Sequence, residues 1–494
     1  MRVGFDRDLY IKTQTEHILE RIKQFDNKLY LEFGGKLFDD YHASRVLPGF
    51  DVNAKVKLLQ GFSDMAEIVF CINASSIAKN KIRADFGITY DQDLLRTIDA
   101  LRDLGLSVNS VVITQYADQP GAIAFRNMLE QRGIKTYKHY PIKGYPTDVN
   151  LIVSENGYGA NDYIETTRPL VVVTAPGPNS GKLATCLSQL YHESKLGIRA
   201  GYAKFETFPI WNLPLKHPVN LAYEAATADL RDVNMIDPFH MDAYGETTVN
   251  YNRDIEGFPI VNTILTRIMN KTIYKSPTDM GVNMAGYCIT DDEAVREAAT
   301  QEIVRRYYHA WCECRLGREE PDTAHRIETL LSQLNADVET VRRVVRPAKQ
   351  KAAESGSAAM AIELPDGRIV TGRSQHLMNA ASSATINAIK TLAGISDEVH
   401  LMSPVILEPI LKMKREMLGR RNPTLNLEEV LIALSICAAT NPTAELALSK
   451  LAYLKNCEAH TSYILSEPDA GILRRLGLNV TSEPVFETNA LFHD

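Results

Sequence analysis

A turn rich in glycine, between a strand and a helix, is the strongest chemical signal in this sequence. Leu170–Thr174 is a short β-branched run, typical of a buried parallel strand, and an apolar helical face begins at Leu183. Such a turn directs backbone N–H groups and the positive end of the helix dipole at one point, which suits a phosphate group. We therefore predict that the turn binds phosphate through Gly177, Asn179, Ser180, Gly181 and Lys182.

The turn departs from the standard phosphate-loop motif, G-x-x-x-x-G-K-[ST]. Pro176 occupies the position of the first glycine, and Leu183 occupies the position of the Ser or Thr that holds magnesium. We expect Thr185 or Ser180 to supply a hydroxyl nearby. The alternative is an ordinary strand-to-helix turn in which Lys182 is solvated.

Two charged residues at strand ends extend this hypothesis. Lys204 ends the strand after the helix, at the edge where open parallel sheets bind ligands, and we expect it to neutralise charge during phosphoryl transfer. Asp237 follows the apolar run 233–236, a position typical of a carboxylate that holds magnesium. The alternatives are a surface lysine and a local hydrogen bond between Asp237 and His240.

A second glycine turn lies near the N-terminus. The strand-like run 28–33 leads into Gly34, Gly35 and Lys36. Two successive glycines can form an anion-binding nest, so these three residues are further candidates for ligand binding. A charged surface turn is the alternative.

The composition describes a folded protein with more than one domain. The chain has 494 residues, 45% of them hydrophobic, and a formal net charge of −7. This charge gives no overall attraction to nucleic acid or to anionic lipid, and no apolar run is long enough to span a membrane. Because the seven cysteines are odd in number and lie mostly in apolar segments, we expect reduced thiols and a cytoplasmic location.

Motifs for metal chemistry are not found in the sequence. The closest cysteines, Cys312 and Cys314, point apart on a helix, and there is no H-E-x-x-H segment. We therefore predict no metal site built from protein ligands alone.

Alternating strand and helix patterns predict an α/β fold with a doubly wound, mostly parallel sheet. This N-terminal domain spans residues 1–290 and contains the phosphate-loop-like unit, with 1–150 and 151–290 as possible halves of one sheet. A helical connector follows at 291–355, where Asp291 and Asp292 can cap the first helix.

Residues 356–494 form a second, smaller α/β domain in this interpretation. A Pro-Asp-Gly turn at 365–367 predicts a β-hairpin, which a helix near 377–392 follows. The apolar residues 399–402 predict a further strand, and residues 463–480 predict a strand, a helix and a strand.

The segment 170–209 is similar to the start of dethiobiotin-synthetase-like NTPases. The shared features are the turn from Gly177 to Lys182 and the segment Gly-Tyr-Ala-Lys204-Phe-Glu-Thr-Phe-Pro, since those enzymes also place a strand ending in lysine and proline after a deviant phosphate loop. The similarity covers about 40 residues and implies that Lys204 contacts a phosphate or a carboxylate substrate.

Nearly the whole chain resembles an uncharacterised bacterial family, a domain of unknown function. The matching segments are Tyr-Leu-Glu-Phe-Gly-Gly-Lys-Leu at 30–37, His-Ala-Ser-Arg-Val-Leu-Pro-Gly at 42–49, Thr-Ala-Pro-Gly-Pro-Asn-Ser-Gly-Lys at 174–182, and Val-Thr-Gly-Arg-Ser at 370–374. The resemblance implies a cytosolic, homo-oligomeric α/β protein. Some members carry the label ATP-dependent peptidase, although this sequence holds no protease constellation.

The sequence thus favours an enzyme that depends on a nucleotide or another phosphorylated ligand, with phosphoryl-transfer or ligase-type chemistry. ATP or another nucleotide with magnesium is the expected cofactor, and a small phosphorylated molecule is the expected partner. A non-catalytic protein that binds a phosphorylated metabolite, or a scaffold, is the alternative, and an ATP-dependent peptidase is a third.

Overall fold

The computed structural model describes residues 2–83, 88–420 and 422–488, and the chain divides into two compact units, Met1–Ala299 and Thr300–Asp494. The strands are β1 Leu29–Phe33, β2 Ala66–Asn73, β3 Ile82–Arg83, β4 Ile88–Thr89, β5 Val108–Thr114, β6 Lys135–Lys138, β7 Leu170–Thr174, β8 Gly201–Phe205, β9 Asn234–Ile236, β10 Val249–Tyr251, β11 Ala359–Glu363, β12 Ile369–Arg373, β13 Glu458–Thr461 and β14 Asn479–Ser482. The α-helices of the first unit are α1 Arg7–Gln24, α2 Tyr41–Val46, α3 Ala54–Gln60, α4 Ala74–Ala78, α5 Tyr90–Asp103, α6 Pro120–Gln131, α7 Val149–Ile152, α8 Lys182–Lys195, α9 Pro218–Ala226, α10 Pro238–Tyr244, α11 Asn252–Met269 and α12 Pro277–Met280.

The α-helices from residue 292 onward begin with α13, which spans the division between the units. They are α13 Asp292–Arg315, α14 Pro321–Gln333, α15 Val338–Val341, α16 Val345–Ser355, α17 Ala380–Ala393, α18 Pro404–Lys412, α19 Leu427–Ala438, α20 Pro442–Leu448 and α21 Glu467–Arg475. The segment that we predicted as a helical connector therefore contains α13 to α16, and Asp291 accepts a hydrogen bond from the amide of Ala294 at the start of α13.

The first unit is built on a six-stranded parallel sheet with the strand order β6-β5-β2-β7-β1-β8. Every residue of β1 and β7 is buried, as expected for strands whose two faces are both covered by helices. Strands from both 1–150 and 151–290 enter this sheet. The prediction of a doubly wound, mostly parallel α/β sheet is confirmed.

The second unit contains a smaller, mixed sheet with the order β12-β11-β13-β14, in which only β13 and β14 are parallel. The predicted hairpin is present as β11 and β12. Helix α17 lies so close to β12 that a Cβ atom on Gly372 would stand 2.1 Å from the amide nitrogen of Ala384, and only glycine fits there.

Two predicted strands of the second unit are wrong. The strand expected to begin at residue 463 is absent, because β13 ends at Thr461 and residues 463–466 are irregular. Residues 399–402 form no strand; they belong to the irregular segment that leads into α18. Leu401 and Met402 are buried in the apolar cluster of this unit, so the apolar pattern reflects burial without strand pairing.

The cysteine thiols are unpaired, and all are buried except that of Cys314, which is half-buried. Among the helices of the described ranges, none combines the length and the apolar character needed to cross a membrane.

Candidate functional site

A cleft of about 1300 Å³ lies at the carboxyl edge of the six-stranded sheet. Its walls come from the loops after β1, β7 and β8 and from helices α5, α8 and α11. Strands β1 and β7 are neighbours, and the chain leaves β1 toward β2 on one side and leaves β7 toward β8 on the other. The cleft therefore occupies a topological switch point, where open parallel sheets bind their ligands.

The loop 175–181 connects β7 to α8 and forms one wall of the cleft. Its shape depends on two residues with positive φ, Asn179 at 59° and Gly181 at 84°. Neighbouring side chains hold its carbonyl groups: the hydroxyl of Thr114 donates to the oxygen of Ser180 over 2.8 Å, and the amide of Asn73 donates to the oxygen of Asn179 over 3.3 Å. The carbonyl oxygens are thus bound by the protein.

The amide groups of the same loop are available. Within the described part of the chain, the N–H groups of residues 179–184 donate to no protein acceptor, and Gly181 caps α8 without a side-chain hydrogen bond. The half-buried Lys182 forms no ion pair or hydrogen bond with any described residue. Free amides at a helix N-terminus together with an unpaired ammonium group form an arrangement that can bind phosphate.

Two glycines of this loop are required by their surroundings. A Cβ atom on Gly177 would stand 2.6 Å from the ring of Tyr90, which comes from α5. A Cβ atom on Gly181 would stand 3.0 Å from the side chain of Thr114, in addition to the strain of its positive φ. The glycines therefore let the loop pack between β5 and α5 while its amides stay exposed to the cleft.

The structure does not place Thr185 on the cleft, where we expected a hydroxyl. Thr185 is fully buried on the face of α8 that packs on the sheet, and its hydroxyl lies 3.4 Å from the thiol of Cys71 and 3.5 Å from Nδ1 of His139. Ser180 is also occupied, because its hydroxyl donates to the oxygen of Gly177. Leu183 lines the cleft at the position that holds magnesium in the standard motif.

The second glycine turn comes to the same cleft. Gly34, Gly35 and Lys36 all line it, because β1 is the neighbour of β7. Gly35 has a φ of +71°, and a Cβ atom there would stand 2.8 Å from the ammonium nitrogen of Lys55. Lys55 itself is buried and forms an ion pair with Asp40 over 2.9 Å.

Lys204 also lines the cleft, but it is surrounded by negative charge. Its ammonium group pairs with Asp254 from α11 and with Glu206 over 3.1 Å, and it lies 5.2 Å from the ring centre of Tyr251. Burial by itself would lower the pKa of Lys204, but the charges of Asp254, Glu206 and Glu32 outweigh burial and raise that pKa above its ordinary value. Lys204 is therefore a permanently charged, paired lysine.

The carboxylates of this cluster were not among the predicted site residues. Glu206 accepts a hydrogen bond from the hydroxyl of Tyr251, and burial raises the pKa of its carboxyl group. Glu32 is beside Lys204 in the register of β1 and β8, and its Oε2 accepts a hydrogen bond of 2.7 Å from Tyr202. A lone glutamate in the otherwise apolar strand 29–33 was the signal that could have identified Glu32.

Asp237 does not line the cleft. It is fully buried and caps α10, with Oδ1 accepting hydrogen bonds from the amides of Phe239 and His240 over 3.0 and 3.1 Å. Its Oδ2 accepts a hydrogen bond of 2.7 Å from Thr278. Since both oxygens are used in this way, the structure gives Asp237 a capping role and does not bring it to the phosphate-loop-like turn.

Within residues 2–83, 88–420 and 422–488, no three His, Cys, Asp or Glu side chains are grouped so that they could hold a metal ion together.

Fold and cleft together define a doubly wound α/β protein with a ligand-sized cleft at its switch point. The chain belongs to the DUF1846 family: the N-terminal domain of unknown function DUF1846 matches residues 3–335, and the C-terminal domain matches residues 340–492. This confirms the resemblance to an uncharacterised bacterial family.

Relatives of the same length support the assignment. The chain is 57% identical over 503 residues to UPF0371 proteins of Clostridium botulinum strains Eklund 17B and Alaska E43, with 100% of each chain covered. It is 56% identical over 503 residues to a UPF0371 protein of strain Loch Maree, again with 100% of both chains covered. The names of these relatives state no activity.

Proposed function

We propose that this protein is an enzyme whose ligand is a small phosphorylated molecule, with the phosphate group bound by the loop 175–181 and by Lys182. One observation carries the proposal: the amides of residues 179–184 and the ammonium group of Lys182 have no acceptor among the described residues, and they border the cleft. Buried or half-buried donors without partners are costly, so their convergence favours an anionic ligand.

The charged cluster beside the loop favours an enzyme over a protein that only binds. Lys204, Glu206 and Asp254 line the same cleft, and the pKa values of Lys204 and Glu206 both depart from their ordinary values. Perturbed titratable groups next to a ligand site are typical of catalytic centres. In phosphoryl-transfer or ligase-type chemistry, this cluster would accept or donate a proton at the second reacting group, the one that reacts with the phosphorylated ligand.

The phosphorylated ligand in this proposal includes ATP or another nucleotide with magnesium. A cleft of about 1300 Å³ is large enough for a nucleotide. Because Leu183 replaces the magnesium-holding hydroxyl and Thr185 is turned into the core, the ion would have to be held mainly by the ligand's phosphate oxygens and water, as is usual for magnesium.

Calorimetric titration tests the binding step. Inorganic phosphate, ADP, ATP and GTP, each with and without magnesium, would be titrated into the full chain and into Lys182→Ala. We expect at least one of them to bind and its affinity to fall about 10-fold or more in Lys182→Ala, because a charge-assisted hydrogen bond is lost. Binding of none of them, or equal affinities in both proteins, would overturn the proposal.

The matched control is Lys195→Ala, at the other end of the same helix. Lys195 pairs with the exposed Glu155 over 3.0 Å and does not line the cleft, so its removal should change the affinity less than about 2-fold. Phosphate release from the bound nucleotide, measured in the wild type and in Lys182→Ala, then separates an enzyme from the non-catalytic alternative.

A further inference from the structure

The cleft changes its electrostatic character between its two ends. At the loop 175–181 it offers amide donors and Lys182. At the end of β8 it offers three carboxylates, Glu32, Glu206 and Asp254, and two of them hold the ammonium group of Lys204. Even if Glu206 holds a proton, Glu32 and Asp254 outnumber this ammonium group. The nearby Arg253 does not balance the excess, because that side chain is paired with Asp232 over 2.6 Å.

Glu32 gives an independent indication of a ligand at this end. Its side chain lines the cleft although only 9% of the residue is exposed. One carboxylate oxygen accepts the hydrogen bond from Tyr202, and the other receives no hydrogen bond from any described residue. That oxygen has no protein donor and belongs to a side chain that lines the cleft, so an N–H group of a ligand would bind it there.

The two ends are close enough for one small molecule to reach both. The loop follows β7, Glu32 lies on β1, Lys204 lies on β8, and these strands are adjacent in that order. Neighbouring strands are about 4.8 Å apart, so the two outer strands are separated by about 10 Å and Glu32 lies between them. A phosphate ester with a second polar group a few bonds away therefore reaches from the loop to Glu32, one strand spacing away.

We infer that the ligand carries a protonated amine a few bonds from its phosphate group, and that Glu32, together with Glu206 and Asp254, binds this ammonium group. The inference rests on the proposed function, since it takes the phosphate to be bound at the loop 175–181. The three carboxylates favour an ammonium group over a neutral hydroxyl and disfavour a second anionic group.

Three phosphate esters with the same two-carbon chain test the inference. O-phosphoethanolamine carries an ammonium group on that chain, ethyl phosphate carries no second polar group, and 2-phosphoglycolate ends in a carboxylate. In titrations of the full chain at neutral pH we expect phosphoethanolamine to bind about 10-fold more tightly than ethyl phosphate, and phosphoglycolate to bind most weakly. Equal affinities, or tighter binding of phosphoglycolate, would overturn the inference.

Variants that remove a carboxylate charge test which residues bind the ammonium group. Glu32→Gln keeps the shape of the side chain and its bond to Tyr202, and it should reduce the preference for phosphoethanolamine about 5-fold or more while ethyl phosphate binds as before. Glu206→Gln provides a second variant should the first fail to fold. Glu256→Gln, an exposed position on α11 outside the cleft, removes the same charge and should leave the preference unchanged.

The two proposals fail in different ways. If none of inorganic phosphate, the nucleotides and the three phosphate esters binds, the proposed function is wrong. If ethyl phosphate binds and depends on Lys182, but phosphoethanolamine has no advantage or Glu32→Gln does not reduce that advantage, the proposed function stands and the assignment of the ammonium site is wrong.

Discussion

The loop after β7 and the strand end of β8 present two lysines to one cleft in opposite ways. Lys182 has no protein partner among the described residues, whereas Lys204 is held by Asp254 and Glu206. From the sequence, Lys182 was predicted to bind phosphate because it follows the second glycine of the turn, and Lys204 was predicted to neutralise charge because it ends the next strand. The difference teaches that a lysine is available to an anionic ligand only where the fold brings no carboxylate to it.

The backbone differs between the two sites as well. The amides of residues 179–184 have no acceptor among the described residues, while the oxygen of Lys204 accepts a hydrogen bond of 2.9 Å from the amide of Val282. At the end of β8 the main chain is hydrogen-bonded within the protein, so the groups available for chemistry are side chains. In the loop, the groups available to a ligand are mainly main-chain amides.

Removing the ammonium group of Lys204 should have the largest effect on stability. Lys204→Met leaves Glu206 and Asp254 in a largely buried site without their counter-ion, and we expect the free energy of unfolding to fall by about 3 kcal/mol. Urea unfolding measured by tryptophan fluorescence checks this. In a Trp311→Phe background the remaining Trp211 reports on the first unit.

Lys195→Met is the control for this comparison. Its ion pair with Glu155 is exposed, so its loss should cost less than about 0.5 kcal/mol. Similar losses for the two variants would mean that Lys204 and its carboxylates are not a buried, mutually dependent cluster.

Acid should lower the free energy of unfolding through His139. This residue is buried beneath α8, and burial lowers the pKa of its imidazole to about 4, against an ordinary value of 6.5. The unfolded chain therefore binds the proton first, so stability that is present above pH 6.5 is lost as the pH falls toward 4. The loss should reach about 3 kcal/mol.

A pH series of urea unfolding curves measures this contribution. In His139→Gln the fall in stability across that interval should be clearly shallower than in the wild type, while the exposed His376→Gln should keep the wild-type slope. Parallel slopes for His139→Gln and the wild type would contradict the assignment.

Local patterns in the sequence were sufficient for the scaffold and for the loop. Apolar strands, capped helices and a glycine-rich turn are encoded by neighbouring residues, and they predicted the parallel sheet and the placement of Gly177 to Lys182 at its carboxyl edge. The second turn, Gly34 to Lys36, was correctly identified as a strand-end turn, although its place beside the loop depends on the order of β1 and β7.

Contacts between distant residues decided what the sequence could not predict. Asp254 comes to Lys204 from a helix 50 residues further along, and Tyr90 covers Gly177 from α5. Thr185 lies one helical position from where it would face the cleft, and Thr278, 41 residues further along, binds the second carboxylate oxygen of Asp237. None of these relations leaves a periodic pattern that can be read from one chain.

Alanine substitutions at two glycines, one at each end of α8, distinguish the cost of backbone strain from the cost of a steric contact. Gly181 and Gly197 have φ values of +84° and +77°, but a Cβ atom would contact Thr114 only at Gly181, with nothing within 4 Å at Gly197. Alanine at Gly197 should cost about 1 kcal/mol, and alanine at Gly181 about 2 kcal/mol because of the added contact.

The same pair of variants tests the role of the loop. Phosphate affinity should fall in Gly181→Ala and stay at the wild-type value in Gly197→Ala, because only the first substitution displaces the amides. Unfolding curves and phosphate titrations of both variants provide the comparison. An equal loss of stability in both would show that the contact with Thr114 relaxes without cost.

The smallest effect on the free protein is expected at Lys182. Since its ammonium group has no partner among the described residues, Lys182→Met should change the free energy of unfolding by less than about 0.5 kcal/mol in buffer without phosphate. With phosphate at about ten times its dissociation constant, the wild type should gain about 1.4 kcal/mol and the variant much less, because a ligand stabilises only the state that binds it. Unfolding curves at matched ionic strength, with chloride replacing phosphate, measure both quantities. A variant that gains as much stability as the wild type would place the bound phosphate elsewhere. The lack of a protein partner at Lys182 would then not mark it as a phosphate ligand, in contrast to what the comparison with Lys204 predicts.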